Sequence, residues 1–169
     1  EGYGIRAVIT LKANLEVSAG DGTVDNPYVI NMGENNNYID QYVRLGNDTW
    51  RIFNDDDGIL KMYTYGYLLV NGEEILKSYS NKNSYFNLND KTNIAYYLNN
   101  TYFNSLSYKD LLVDNNYYVG EISADTGYDF KNIYTDSVVC KVGLLNIFDY
   151  NSNNYFENYF YMNTTSSVG

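Results

Sequence analysis

The sequence predicts an α+β fold, mainly antiparallel β with one or two helices. Three observations predict it: a strictly alternating run near the N-terminus, a series of short apolar segments separated by Gly, Asn and Asp turns, and one long stretch with helical spacing. In the first run Ile5, Ala7, Ile9, Leu11, Ala13, Leu15 and Val17 share one parity, and Gly4, Arg6, Val8, Thr10, Lys12, Asn14 and Glu16 share the other. A period of two puts the first set on one face of a strand and the more polar second set on the opposite face.

Turn chemistry divides the rest of the chain into short elements. Ala19-Gly20-Asp21-Gly22-Thr23 reads as a turn, because two glycines one residue apart tolerate positive φ. Asp25-Asn26-Pro27-Tyr28 reads as an extended link, since proline holds the residue before it extended. The asparagine-rich run Glu34–Tyr38 reads as a loop or linker. Tyr42–Leu45 and Trp50–Phe53 read as strands joined through Gly46-Asn47-Asp48, and Asn54–Gly58 turns the chain into a third strand within Ile59–Tyr67. Val43, Leu45, Trp50 and Ile52 of this meander are expected to face inward. Asn71-Gly72 marks a further turn before Glu73–Lys77.

Asp90–Leu106 reads as the main helix. Ile94, Leu98, Tyr102 and Leu106 recur every four residues, with Ala95, Tyr97 and Phe103 widening the stripe. Asn89, Asp90 and Thr92 are the candidate N-caps, and Ser107 caps a short turn containing Leu111 and Leu112. Tyr117–Ile122 and Ser137–Val142 read as strands, and Gly143–Tyr150 as the start of a second helix with Leu144, Leu145 and Phe148 inward. The tail Asn151–Gly169 is too aromatic for a solvated end, so Tyr155, Tyr159 and Tyr161 are candidate binding aromatics. The organisation expected is an N-terminal strand and linker over residues 1–30, then one α+β domain over residues 31–169.

Composition narrows the function. A net charge of −10 supplies no basic patch for nucleic acid and opposes anionic membrane surfaces. No apolar run is long enough to cross a membrane, so neither nucleic acid nor membrane insertion is expected. With no histidine, the Ser–His and Cys–His nucleophile systems and histidine metal sites are excluded. No phosphate loop, dinucleotide fingerprint or EF-hand loop is present. A two-carboxylate hydrolase needs one pair of acids across a cleft, and nothing singles out a pair among 21. The expectation is therefore a non-enzyme with no cofactor. The lone Cys140 cannot form an internal disulfide, and within Val138–Val142 it reads as a small buried apolar residue. The acidic turns Asn54–Gly58 and Asp21–Asp25 read as solvated turns; calcium is the alternative, with Asp55 and Asp57 as its weaker candidates, because consecutive aspartates diverge. The 21 tyrosines partly reflect genome composition, and they also supply stiff amphipathic area for interfaces or glycans.

Gly4-Ile5-Arg6-Ala7-Val8-Ile9-Thr10-Leu11-Lys12, followed by Gly20-Asp21-Gly22-Thr23 and Asn26-Pro27-Tyr28, resembles the end of a repeat in large surface proteins of low-GC Gram-positive bacteria. Trp50-Arg51-Ile52 and Val142-Gly143-Leu144-Leu145 extend the likeness. Such repeats are distantly similar to the cores of C-type lectins and formylglycine-generating enzymes, which also end in a Gly-x-Arg strand. The resemblance implies a C-type-lectin-like core and an extracellular or cell-surface location. It also makes an arginine at position 6 typical, in a buried ion pair or bonded to carbonyls, with ligand contact as the other role. Ala7 departs from the usual proline. The larger departure is order, since the Gly-Ile-Arg strand closes the family domain but opens this chain, as in a permuted or excised repeat.

The order suggests a function. A strand of ten residues, Tyr3–Lys12, spans about 33 Å at ~3.3 Å per residue and would complete a neighbour's sheet if given away. Ile5, Ala7, Ile9 and Leu11 are then the buried plugs of an assembly strand, and Gly20, Gly22 and Pro27 belong to the hinge link between units. Head-to-tail donation does not close, so it builds a filament from copies of the chain itself. The expectation is a structural subunit or repeat of an extracellular bacterial fibre or surface layer. The alternatives are closure in cis, a repeat cut from a longer chain, and a monomeric adhesin module that binds surface glycans or protein.

Overall fold

The meander expected over residues 42–67 is the middle of the main sheet, its third strand ending at Thr64. The structure, a computed structural model, describes residues 3–12, 16–31, 38–56, 59–70, 73–80, 86–118 and 137–145. Its strands are β1 (Tyr3–Gly4), β2 (Ala7–Leu11), β3 (Glu16–Ala19), β4 (Tyr28–Asn31), β5 (Tyr42–Leu45), β6 (Asp48–Asp56) and β7 (Ile59–Thr64), then β8 (Leu69–Val70), β9 (Glu73–Glu74), β10 (Leu76–Lys77), β11 (Asn115–Tyr118), β12 (Ser137–Cys140) and β13 (Val142–Leu144). Seven of them form one sheet in the order β13-β2-β7-β6-β5-β4-β3. Within it only β4 and β5 run parallel. The pairs β1–β10, β8–β9 and β11–β12 are separate antiparallel ribbons. The class is α+β and mainly antiparallel.

The alternating run does not continue as one strand. It ends at Leu11, and β3 takes up at Glu16 on the far edge of the sheet. Leu11 and Glu16 are five residues apart, a reach of at most about 18 Å. The second and seventh places of a flat sheet would lie about 24 Å apart at ~4.8 Å per strand. The sheet must therefore curl, and the segment after the helix closes the curl. Lys12 N–H donates to the Leu111 carbonyl and Val113 N–H to the Thr10 carbonyl, while the Tyr108 hydroxyl donates to Asp48 at the start of β6.

Both faces of β2 are covered, which corrects the expectation of a polar face. Ile9 stands between Val142 and Met62, and Leu11 beside Leu60, over the main core with Trp50, Ile52 and Val43. On the other face Val8 and Thr10 are equally buried. There the Tyr117 hydroxyl donates to the Val8 carbonyl at 3.3 Å, and the Asn115 side chain donates to Thr10 Oγ1 at 2.8 Å. The Tyr117 ring lies on Gly143, where any Cβ would sit 2.1 Å from it. The ring also lies 5.3 Å from Lys61 Nζ, which faces Phe53 on another side.

The boundary expected at residues 30/31 falls within β4. Gly20, Gly22 and Pro27, expected in the hinge link, lie in the hairpin loop between β3 and β4. Asp21 accepts from the Thr23 N–H and hydroxyl, and Asn26 N–H donates to Thr23 Oγ1. Those bonds from Thr23 hold the Asp21 carboxyl below its ordinary pKa. The Gly22 carbonyl accepts from Tyr42 N–H at 2.8 Å, which pins the loop to the body. Gly20 has φ +89, and a Cβ there would meet the Pro27 carbonyl oxygen at 2.3 Å.

One helical stretch covers the core face: an α-turn at Ile94–Tyr96, a π-helical segment at Tyr97–Tyr102 and an α-turn at Phe103–Ser105. Ile94, Ala95, Leu98, Tyr102 and Leu106 are buried, as the stripe predicts. A strict four-residue repeat overruns the 3.6 residues of an α-helical turn. Bonding from i to i+5 takes up that excess and keeps Leu98 and Tyr102 over the sheet. The N-cap is Asn93, not its three expected neighbours. Its Oδ1 accepts from Ala95 N–H at 3.0 Å, while Asp90 bonds Thr92 in the turn before. No second helix starts at Gly143, because Val142–Leu144 pair with Ala7–Ile9 as β13. Residues 146–150 and the tail with Tyr155, Tyr159 and Tyr161 lie outside the described residues.

Candidate binding surface at the first strand

The residues before β2 build a surface site. Gly4 pairs with Leu76 across β1 and β10, and the Ile5 carbonyl accepts from Leu68 N–H at 2.8 Å. Leu68 is buried and in turn accepts from Ile75 N–H, so the main chains of Ile5, Leu68 and Ile75 are linked in series. Val70 pairs with Glu73, and the turn expected at Asn71-Gly72 lies outside the described residues.

Two side chains meet at Gly4. A Cβ there would lie 2.5 Å from Glu74 Oε1 and 2.7 Å from Tyr67 Cδ1, so the carboxylate and the ring rest against the glycine backbone. The Arg6 guanidinium lies 5.6 Å from the Tyr67 ring centroid, within cation–π range. A buried ion pair of the kind the resemblance implies for Arg6 is also made by Arg51. Arg51 is buried, donates to Asp40 and to the Tyr63 hydroxyl at 3.2 Å, and lies 5.8 Å from the Tyr42 ring. Its partner Asp40 holds φ 71, a left-handed position that aspartate tolerates.

Tyr65, Tyr67 and Tyr79 stand out of the protein, 48%, 50% and 46% exposed, and Leu69 and Leu76 are exposed as well. Tyr65 is fixed edge-to-face against Tyr42 at 5.2 Å. Lys77 Nζ lies 4.6 Å from the Tyr97 ring. These aromatics are not the ones the sequence singled out in the tail.

Of the other expected positions, Ile5 is buried between β1 and β2, and Ala7, Ile9 and Leu11 are buried in the chain's own sheet. Asp55 sits on β6 opposite Leu60, and Asp57 lies outside the described residues. Among the described residues no cluster of three or more acids or cysteines could hold a metal ion, and no helix is long and apolar enough to cross a membrane. Cys140 is buried, and burial pushes its thiol up to about 12. Sequence reasoning missed Asn99. Its Nδ2 donates to the Val142 carbonyl at 2.8 Å, and its Oδ1 accepts from Lys141 N–H and Val142 N–H at 3.1 and 3.0 Å.

Comparison with known protein families, characterised proteins and solved structures finds no match to this chain.

Proposed function

We propose that this chain is a structural module of an extracellular bacterial surface assembly, with a lectin-like core, in which the Ala7–Leu11 strand is the joint between copies. The observation that carries the reading is the strand's seat: five consecutive buried residues, inserted between β7 and β13 at the N-terminal end of the described chain. Burial of Ile5, Ile9 and Leu11 alone contributes about 5–9 kcal/mol before ordering costs. The same contacts form whether the strand comes from the same chain or from a neighbour, so the connection decides between them. Four residues, 12–15, join the second place of the sheet to the seventh, and short hinge loops invite exchange of the element they hold. An isolated copy fills its own slot, and an assembled copy fills its neighbour's.

Light scattering with negative-stain imaging of the purified chain tests this. Exchange gives polymers that persist in mild denaturant. Ile9→Asp puts a charge between Met62 and Val142 and is expected to abolish them. Lengthening the link with four Gly-Ser residues after Lys12 is expected to shift the chain to monomer. A wild-type chain that stays monomeric at every concentration overturns the joint.

A second reading has its own observation. The half-exposed Tyr67 ring against Gly4, in a chain that also exposes Tyr65 and Tyr79, suits a surface module that holds glycans, and that role needs no polymer.

A further inference from the structure

We infer that β2 is held in its seat by a C-terminal clasp, residues 112–118 and 137–144, and that lifting this clasp as a unit is the step that frees the strand for exchange. The inference rests on the reading of β2 as the joint between copies, and it names what controls that joint.

Four sides enclose β2. Along its edges run β7 and β13. Against one face lies the main core, where Ile9 and Leu11 meet the buried side chains of the meander. Over the other face lie Tyr117, bonded to the Val8 carbonyl, and Asn115, bonded to Thr10. A strand in the second place of a sheet can leave sideways only past the edge strand, or outward only through a face that nothing covers. The β7 edge and the core face belong to the body of the protein. The β13 edge and the Tyr117 face both belong to the clasp, so one movement opens two adjoining sides.

The clasp is tied together internally. Asn115–Tyr118 pair with Ser137–Cys140, and the chain passes through Lys141 straight into β13. The Tyr117 ring against Gly143 joins β11 to β13. Lys141 Nζ donates to the Leu112 carbonyl and pairs with Asp114, both at 3.3 Å, which links the start of the clasp to its end. The Cys140 thiol donates to the Val142 carbonyl at 3.3 Å.

The clasp and the strand hold each other. Leu112 bridges to Leu11, Val113 N–H donates to the Thr10 carbonyl at 3.0 Å, and Val142–Leu144 pair with Ala7–Ile9. Among the described residues β13 pairs with no strand but β2, and β11 and β12 pair only with each other. The clasp also meets Lys61, through the Tyr117 ring, and the π-helical segment, where Asn99 bonds Val142 and Lys141. Asn99 is therefore the catch that keeps the clasp down on the body. In an exchanged pair the clasp of one copy closes over β2 of the other through the same bonds.

Hydrogen exchange of the full chain at low denaturant, with labelling of the Cys140 thiol on β12, tests this in wild type, Asn99→Ala and Val43→Ala. In wild type the β2 amides and Cys140 are expected to react together, through an opening smaller than global unfolding, while the β5 and β6 amides wait for global unfolding. Asn99→Ala should speed β2 exchange and Cys140 labelling by about tenfold or more. Val43 lies on β5, separated from β2 by β6 and β7, and stays buried when the clasp lifts. Val43→Ala should therefore speed the meander amides by about tenfold and leave β2 and Cys140 unchanged. Unfolding midpoints report that both variants are folded. If β2 and Cys140 speed up in step with the meander in Val43→Ala, the strand is freed only by global unfolding and the clasp is overturned. Cys140 labelling while the β2 amides stay as protected as the meander overturns it as well. Light scattering on the same samples reads the joint separately. A chain that stays monomeric while β2 and Cys140 open together overturns the joint and supports the clasp; polymers whose β2 opens only globally overturn the clasp and support the joint.

Discussion

Replacing Asn99 by alanine tests how the sheet is closed. Asn99 projects from the π-helical segment onto the edge strand β13 and bonds both main-chain groups of Val142 and the N–H of Lys141. It makes a fourth bond, to the Ala95 carbonyl, within its own helix. The three long-range bonds are worth about 1 kcal/mol each net. Val142 is fully buried, so losing the amide also strands its N–H and leaves its C=O with only the weak Cys140 thiol donor at the edge of the core. Each such group costs about 1–3 kcal/mol if water does not reach it. Water can enter the space left by a truncated side chain, so the sum falls near ~3 kcal/mol, within a range of about 2–5. For a chain of this size that corresponds to a fall in Tm of about 6–12 °C. Urea unfolding of wild type and Asn99→Ala gives the difference, and hydrogen exchange at the Val142 amide localises it. Asn99→Asp keeps the acceptor and loses the donor, so it should fall between the two in local protection. A loss below about 1 kcal/mol, or an unchanged Val142 amide, refutes the reasoning, because the edge would then be held by something other than Asn99.

Gly143→Ala is expected to cost about 1–3 kcal/mol, because the new methyl overlaps the Tyr117 ring; combining it with Tyr117→Leu should recover part of the loss in thermal unfolding. Burial raises the Asp48 carboxyl above its ordinary 3.8, against the opposing hydrogen bond from Tyr108. A carboxyl raised on folding contributes stability that is fully present below the unfolded value and lost as pH rises through the folded one. Asp48→Asn, which still accepts from Tyr108, should therefore gain on wild type between about pH 3 and pH 7; urea midpoints that stay parallel would contradict this. Cys140, buried and with its thiol pushed up to about 12, should resist a thiol reagent at about pH 8 in the native protein and react at once in denaturant. Rapid labelling under native conditions would mean that β12 opens locally.

The meander was legible because each strand carries its own alternation and each turn its own chemistry. Val43, Leu45, Trp50 and Ile52 are buried as expected, and β5, β6 and β7 pair in sequence. The first strand was legible on one face only. Thr10 and Val8 look solvent-facing by parity, and what buries them is Tyr117, far along the chain. No local pattern carries that information. The asparagines were the hardest to read. Asn93 and Asn99 make specific bonds at the helix start and the sheet edge, but in a chain crowded with asparagine nothing in the sequence separates them from their neighbours. The π-helical segment did leave a signal, the unvarying four-residue spacing from Ile94 to Leu106. The contact at Gly4 left none, because Tyr67 and Glu74 reach Gly4 only once the main chains of Ile5, Leu68 and Ile75 are linked.

The two edges of the sheet bear on how copies could join. At β13 the N–H and C=O of Val142 point to the same side, and Asn99 takes both. A strand added there would have to evict that side chain. At β3 the register breaks between Val17 and Ala19, and the Ser18 hydroxyl donates to the Val29 carbonyl. A bulge of this kind bends an edge strand and spoils it as a template. Both ends of the sheet thus resist simple strand addition. Exchange of β2 needs neither edge, because its slot lies between β7 and β13 and both are already shaped to receive it. The Asn99 variant therefore separates two kinds of assembly. If it makes a monomeric chain associate, the edge was the barrier and association runs by strand addition. If wild type already polymerises and Asn99→Ala leaves the polymers unchanged in form, the joint is the seated strand.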